Sequence, residues 1–171
     1  MKAYCEIFEE FAAQTTKSDR IAILRKYDTV TLRRILRCIF HPTVKFFITK
    51  VPAYKIDPGI IDPTMSDFRL EHVMSKIYLF DANNLDSNKL SYAKREQLLI
   101  QFLEGMHERE GKLLLNILFK VSDVPYLTEA LVREVWPGML PPKSSEDAAA
   151  SAPAITPPPQ QQAPKKIQLT R

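Results

Sequence analysis

Thr29-Val30-Thr31-Leu32-Arg33-Arg34-Ile35-Leu36-Arg37-Cys38-Ile39-Phe40 decides the class of fold. At about 100° per residue, Leu32, Ile35, Leu36, Ile39 and Phe40 share one face of a helix. Arg33, Arg34 and Arg37 fall together on another face. Such a segment buries one side against other helices and presents three guanidinium groups outward. His41-Pro42 ends it, because the residue before a proline is pushed out of helical backbone.

The same period extends in both directions. Upstream, Tyr4, Ile7, Phe8, Phe11 and Ala12 form an apolar stripe, with Glu6, Glu9 and Glu10 elsewhere on the helix. Ser18 is expected to cap a second helix containing Ile21, Ile23, Leu24 and Tyr27. Downstream, Thr43 to Val51 is rich in β-branched and aromatic residues and is expected to be extended, or a short strand. Pro52, Pro58, Gly59 and Pro63 mark an irregular connection. Thr64-Met65-Ser66-Asp67 reads as the start of a helix that carries Phe68, Val73, Ile77 and Phe80 inward. Residues 81–88 read as a loop, and Ser91 opens a helix with Leu98, Leu99, Phe102 and Leu103. Gly105 and Gly111 flank a region where breaks are expected. Lys112 to Val121 is apolar nearly all round, so it should be the central, buried helix.

The last helix runs to Trp136, the chain's one tryptophan, where Pro137 and Gly138 stop it. Trp136 is expected to anchor the core at that helix end. The expected architecture is all-α. It is a single bundle of about six to seven helices over residues 1–141, with one extended or short β segment near 43–51. Residues 142–171 are rich in Pro, Ala and Gln and cannot bury enough apolar surface to fold, so a flexible tail is expected there. Its basic end, Lys165 to Arg171, carries Ile167 and Leu169 in alternation. That pattern suits a short protein-docking peptide, with an inert solubilising tail as the alternative.

The net charge of +4 is modest, but its distribution is not. Between residues 17 and 55, ten Lys or Arg face only Asp19 and Asp28, whereas acids outnumber bases from 56 to 141. A positive pole on a slightly acidic body is the footprint of a polyanion partner; a merely solvated basic face is the bland alternative. No apolar run reaches the roughly 20 residues that span a bilayer, and Glu6, Glu9 and Glu10 spoil any secretory signal. A cytoplasmic location is therefore expected, the host cytoplasm if the chain is viral. Cys5 and Cys38 read as reduced thiols, and the dispersed histidines offer no structural zinc set, so no metal is expected.

Three blocks carry a resemblance over residues 1–141. They are Lys17-Ser18-Asp19-Arg20-Ile21-Ala22-Ile23-Leu24 with the arginine helix after it, Phe46-Phe47-Ile48-Thr49-Lys50, and Leu131 to Pro141 with its Val-Trp-Pro-Gly step. In that order they resemble the all-helical DNA-binding domain at the front of ATP-dependent DNA ligases, tailed-phage ones in particular. In those ligases a nucleotidyltransferase domain follows; here the proline-rich stretch does. The family's last helix is preceded by a turn with a glycine, and that turn resembles a hairpin whose backbone approaches DNA phosphates. Val124-Pro125-Tyr126 stands there in this chain, with Tyr126 in the glycine's place, so phosphate contact at this turn is expected to be lost or retargeted.

A covalent nucleotidyl site needs Lys-x-Asp-Gly. Lys55-Ile56-Asp57-Pro58-Gly59 departs from it at Pro58 and has no companion motifs. No Gly-rich phosphate loop and no Ser/His/Asp set is recognisable, so neither an enzyme nor a cofactor is expected. The resemblance implies a largely sequence-nonspecific binder of double-stranded DNA, nicked duplex included, in phage-type replication or repair. Arg33, Arg34, Arg37, Lys45, Lys50, Lys17 and Lys26 are the candidate phosphate contacts, arginine being suited to bidentate bonds. The alternative is a protein-interaction adaptor of replication or transcription machinery, such as a sliding clamp or a polymerase, that kept the fold without the DNA function.

Overall fold

Threonine and serine hydroxyls start four helices of the computed structural model, which describes residues 2–142. Thr16, Thr29, Ser91 and Thr128 accept the N–H groups of Asp19, Leu32, Lys94 and Leu131, at 3.1, 3.0, 3.3 and 3.3 Å. They open α2 (Lys17–Lys26), α3 (Val30–Phe40), α6 (Tyr92–Glu104) and α8 (Glu129–Val135). Each such cap contributes about 1 kcal/mol by satisfying a donor the helix cannot satisfy itself. The remaining helices are α1 (Tyr4–Ala12), α4 (Leu70–Ser75), α5 (Leu85–Asn88) and α7 (Glu108–Phe119). The architecture is all-helical, with no strand among the described residues. Residues 143–171, including Ile167 and Leu169, lie outside those described.

Several boundaries differ from expectation for identifiable reasons. Thr16, not Ser18, caps α2, so the helix begins two residues earlier than the sequence suggests. The helix expected from Thr64 does not form there. The Asp62 carboxylate takes both the backbone N–H and the hydroxyl of Thr64, at 2.8 and 2.7 Å, and this local turn outcompetes helix nucleation. Helical structure starts only at Leu70 and breaks into a 3-10 turn at Ile77–Leu79. Residues 81–88 hold the single-turn α5, capped by the Asn84 side chain. The stretch 43–51 is irregular, with a turn at Thr43 and bends at Phe47 and Lys50, and makes one isolated antiparallel bridge, Phe46 to Asp81. The bundle therefore has eight α-helices among the described residues rather than six or seven.

The apolar α7 is the centre, packed against α1, α3, α4 and α6. It starts earlier than expected, at Glu108, and runs through Gly111 without a break. Gly105, by contrast, does end α6, and the Phe68 ring lies where a Cβ would project, 2.6 Å from it. Phe68 also donates its N–H to the Gly105 carbonyl at 2.9 Å, so a side chain there would push this contact apart. At the far end Trp136 is buried beside Leu131, Val132 and Leu140, and Gly138 turns the chain with φ +88°. Trp136 is a core anchor at a helix end, as expected.

One buried acid ties these pieces together. Glu110, in the first turn of α7, is 2% exposed. Its two carboxylate oxygens accept the N–H of Tyr4 at 3.1 Å and of Leu70 at 3.0 Å, the first residues of α1 and α4. Burial pushes this carboxyl above its usual value, and the two backbone donors pull it back. Neither helix start has a side-chain cap from its own N-cap residue. Glu110→Ala should lower unfolding free energy by about 2–5 kcal/mol, since two buried N–H groups lose their acceptor. Glu110→Gln, which can accept only one of them, should fall between. Urea denaturation followed by circular dichroism would measure this; a loss under about 0.5 kcal/mol for Ala would show the contact to be incidental.

Candidate functional site

The C-terminal end of α3 meets the irregular segment 43–50, and each is held from behind. Phe47 donates its N–H to the Phe80 carbonyl at 2.9 Å, and Ala82 donates to the Lys45 carbonyl at 2.7 Å. The Asn83 amide reaches the Thr43 carbonyl at 2.7 Å. On the inner side the buried Arg95 guanidinium lies 4.0 Å from the centre of the Phe47 ring and donates to the Ser87 carbonyl at 2.7 Å. An arginine that stacks on a ring and bonds a carbonyl is a rigid brace. Lys120, the last element of the support, caps α7 in the left-handed region with φ +56°. Its ammonium donates to the carbonyls of His41 and of Val44, the latter at 3.0 Å.

These contacts gather Arg34, Arg37, His41, Lys45 and Lys120 at one end of the molecule. Arg37 and Lys45 are exposed and have no ion pair among the described residues. Arg34 donates to the Met74 carbonyl at 3.0 Å, which fixes its direction but leaves its charge uncompensated. Burial lowers the Lys120 ammonium's pKa, as does the neighbouring Lys45 charge. His41 is lowered by burial, then by Arg37 and by Lys120. Cys38, one turn earlier and buried, is pushed up to about 11 by burial and by Asp81, so its thiol is inert. The shifts on His41 and Lys120 both come first from burial, with neighbouring cations adding to them. Lys50 is exposed, and no contact ties it to this group.

Three of the expected cations are used elsewhere. Lys17 pairs with Glu134 at 2.6 Å, joining α2 to α8. Lys26 pairs with Glu10 at 3.0 Å. That carboxylate also accepts from Lys2 at 2.6 Å and from the Tyr27 hydroxyl at 2.8 Å. The Lys2, Tyr27 and Lys26 donors hold Glu10 down at about 2. Arg33 forks onto Asp28, and Asp28 also accepts the Trp136 indole N–H at 3.2 Å. Arg33, Lys17 and Lys26 are thus surface cations, each paired with a carboxylate. Glu10 and Glu134 lie on other helices, outside the basic window, so charge counting along the chain does not reveal their pairing, whereas Asp28 is only five residues from Arg33. Conversely Lys120 and His41 were missed, because Lys120 lies 70 residues beyond Lys50 in the acidic part of the chain.

Two further features bear on chemistry. Tyr126 adopts φ +65°, the backbone a glycine takes freely, and its ring stacks on the Arg20 guanidinium at 3.7 Å. The left-handed conformation costs an ordinary residue roughly 1–2 kcal/mol and an exposed cation–π stack returns about 0.5–1. Tyr126 is 61% exposed. A cavity of about 260 Å³ opens between α1 and α7 against Val124 and Pro125, floored by Phe8 and Leu113. Burial and the Glu110 charge push Cys5, on its wall, up to about 12. None of the expected phosphate contacts lines this cavity. Among the described residues no group of three or more His, Cys, Asp or Glu is placed to hold a metal ion, and no helix is long and apolar enough to cross a membrane. Asp57 of the Lys55–Gly59 segment folds back onto the Gly59 N–H at 2.8 Å.

The model of one protein family, described as a family of unknown function (DUF6433), matches residues 7–123. No curated protein matches the chain. The match takes in α2 to α7 and the whole basic end, and stops before Tyr126 and Trp136.

Asp28→Ala should release Trp136 from its acceptor and red-shift the emission of this sole tryptophan, while the far-ultraviolet helical signal is kept; unchanged emission would count against the Asp28–Trp136 bond. Glu10 gives a pH prediction with a definite sign. Its folded value is depressed, so the stability it contributes is present above its ordinary value of 4.5 and is lost as pH falls toward about 2. Glu10→Gln should therefore flatten the decline of thermal stability across that window; an equally steep decline in the variant would refute the assignment.

Proposed function

We propose that this chain, which belongs to the DUF6433 family, is a non-catalytic protein that binds duplex DNA largely without regard to sequence. The observation that carries this reading is the convergence of Arg34, Arg37, Lys45 and Lys120, three of them from the expected basic region and one from the end of α7, with no carboxylate pairing among them. Positive groups held on a braced backbone and left uncompensated suit an array of phosphates, which position a protein without specifying sequence. The resemblance to the front domain of ATP-dependent DNA ligases supports the same ligand and a setting in phage-type replication or repair. The turn at Tyr126 makes no phosphate contact in this reading, so the grip lies wholly on the α3 end.

The adaptor reading has its own observation. On the irregular connection before α4, Ile61 and Met65 are 84% and 82% exposed, more than a folded chain needs to leave there. A protein partner that covers them is compatible with DNA binding at the α3 end, because the two sets of residues do not overlap.

Fluorescence anisotropy with labelled intact and nicked duplexes, across a salt series, tests the DNA reading. Four neutralised phosphates predict a slope of log K against log salt of about −3 to −4. Arg37→Gln with Lys45→Gln should make that slope shallower by about 2. Lys17→Gln with Lys26→Gln should leave it unchanged, since those ammonium groups are paired with Glu134 and Glu10. Absence of binding at low salt, or equal slopes in the two double variants, would overturn the proposal.

A further inference from the structure

His41 is the one group on the basic end whose charge is set by its surroundings at neutral pH. It closes α3 and sits one turn beyond Arg37 on the same helix. Its Nδ1 receives the Thr43 backbone N–H at 3.4 Å and lies 2.9 Å from the Thr43 hydroxyl. An Nδ1 that accepts a backbone N–H leaves the neutral ring's proton on Nε2, the nitrogen that Thr43 does not hold. The Thr43 hydroxyl can serve either state: it donates to the neutral ring and accepts from the imidazolium. Protonation at Nδ1 therefore gives up the 3.4 Å bond from the Thr43 N–H and keeps the Thr43 hydroxyl as its acceptor, while the Nε2–H can donate to an incoming oxyanion in either state.

The groups around it are nearly all cationic. Arg37 and Arg34 come from α3, Lys120 from the end of α7 with its ammonium on the His41 carbonyl, and Lys45 from the segment that follows. Asp81, across the bridge from Phe46, is the acid closest to this cluster, and its Oδ1 is engaged by the Asn83 N–H at 2.9 Å. Cys38 beneath is buried and protonated. In the absence of a ligand, burial with Arg37 and Lys120 keeps the ring below its ordinary value of 6.5, hence neutral at pH 7. An anion held by Arg37, Lys45 and Lys120 cancels the repulsion that keeps the proton away.

We infer that His41 is a phosphate-binding residue of this face and takes up a proton as the polyanion docks. The inference rests on the DNA-binding reading and adds to it a residue and a pH linkage. Its sign follows from the proton count: the complex holds more protons than the free protein, so affinity rises as pH falls. The dependence is confined between the free and the bound values of the histidine, and vanishes above the latter. On the bound side the imidazolium makes a charge-assisted bond to a phosphate oxygen, stronger than that of the neutral ring.

The test is the affinity of the full chain for a Cy3-labelled duplex at fixed salt, from pH 8 down to pH 5.5, with His41→Gln in parallel. Glutamine keeps an acceptor for Thr43 and a donor for phosphate but cannot take up a proton. The wild-type chain should bind about tenfold more tightly at the acid end, as one proton linked over about one unit requires. His41→Gln should bind more weakly than wild type, by the largest factor at the acid end, and lose the pH dependence. In a direct readout, the His41 ring resonances should titrate at higher pH with duplex present than without.

Wild-type binding that is independent of pH overturns the inference and leaves the DNA reading intact. A pH dependence that persists in His41→Gln moves the linkage to another group and also overturns it. No binding of the duplex at any pH overturns the DNA reading itself, and the inference with it.

Discussion

The fold depends on a carboxylate where apolar packing would place a hydrocarbon. Glu110 occupies the junction of α1, α4 and α7, and its two oxygens receive the first N–H groups of two helices whose own N-cap residues provide no side-chain acceptor. A helix start exposes unsatisfied donors, and burying one without an acceptor costs more than burying apolar surface at the same place recovers. The acid resolves this for two helices at once. It also fixes which turn of α7 faces which helix start, because an oxygen displaced by one residue would reach neither. Around that point Phe11, Leu36, Met74 and Leu114 are fully buried, and the apolar stripes of α1, α3 and α7 interlock.

The basic end follows from the same arrangement. Once α3 lies against α4 and α7, its arginine face separates into parts with different uses. Arg33 points toward Asp28 and Trp136 and closes the chain's end onto α3. Arg34 reaches the end of α4, and Arg37 is left to solvent. The segment beyond Pro42 is then pinned by Lys120, Asn83 and Arg95, so Lys45 stands beside Arg37 on a braced backbone. Long cationic side chains on mobile loops lose much entropy when they bind; those carried on a braced backbone lose less. The same packing that stabilises the bundle therefore also braces the cations at the end of α3.

Much of this is legible in the chain itself. Leu32, Ile35, Leu36 and Ile39 announce α3 by their period, the apolar run Leu113–Phe119 announces the central helix, and Pro137-Gly138 announces the end of the last helix. The excess of positive charge between residues 17 and 55 likewise points to where the anion surface would be sought. What could not be read are pairings between residues far apart. Ten cations in a window cannot disclose that Glu10 and Glu134, both outside it, will pair with two of them. Nor does the sequence show that Asp62 will capture Thr64 and delay a helix by a turn and a half. Such hydrogen bonds are worth about as much as a capping interaction, so small differences in local geometry decide between them.

By itself, then, the sequence determined the helical class, the buried faces, the place of Trp136 and the basic character of one region, because periodicity and local charge are properties of neighbouring residues. Only the tertiary structure decided which cations remain unpaired, that Lys120 and His41 join Arg37 and Lys45, and that a single acid holds α1 and α4 to α7. These depend on distances between segments separated by tens of residues, and such distances exist only once the helices have packed.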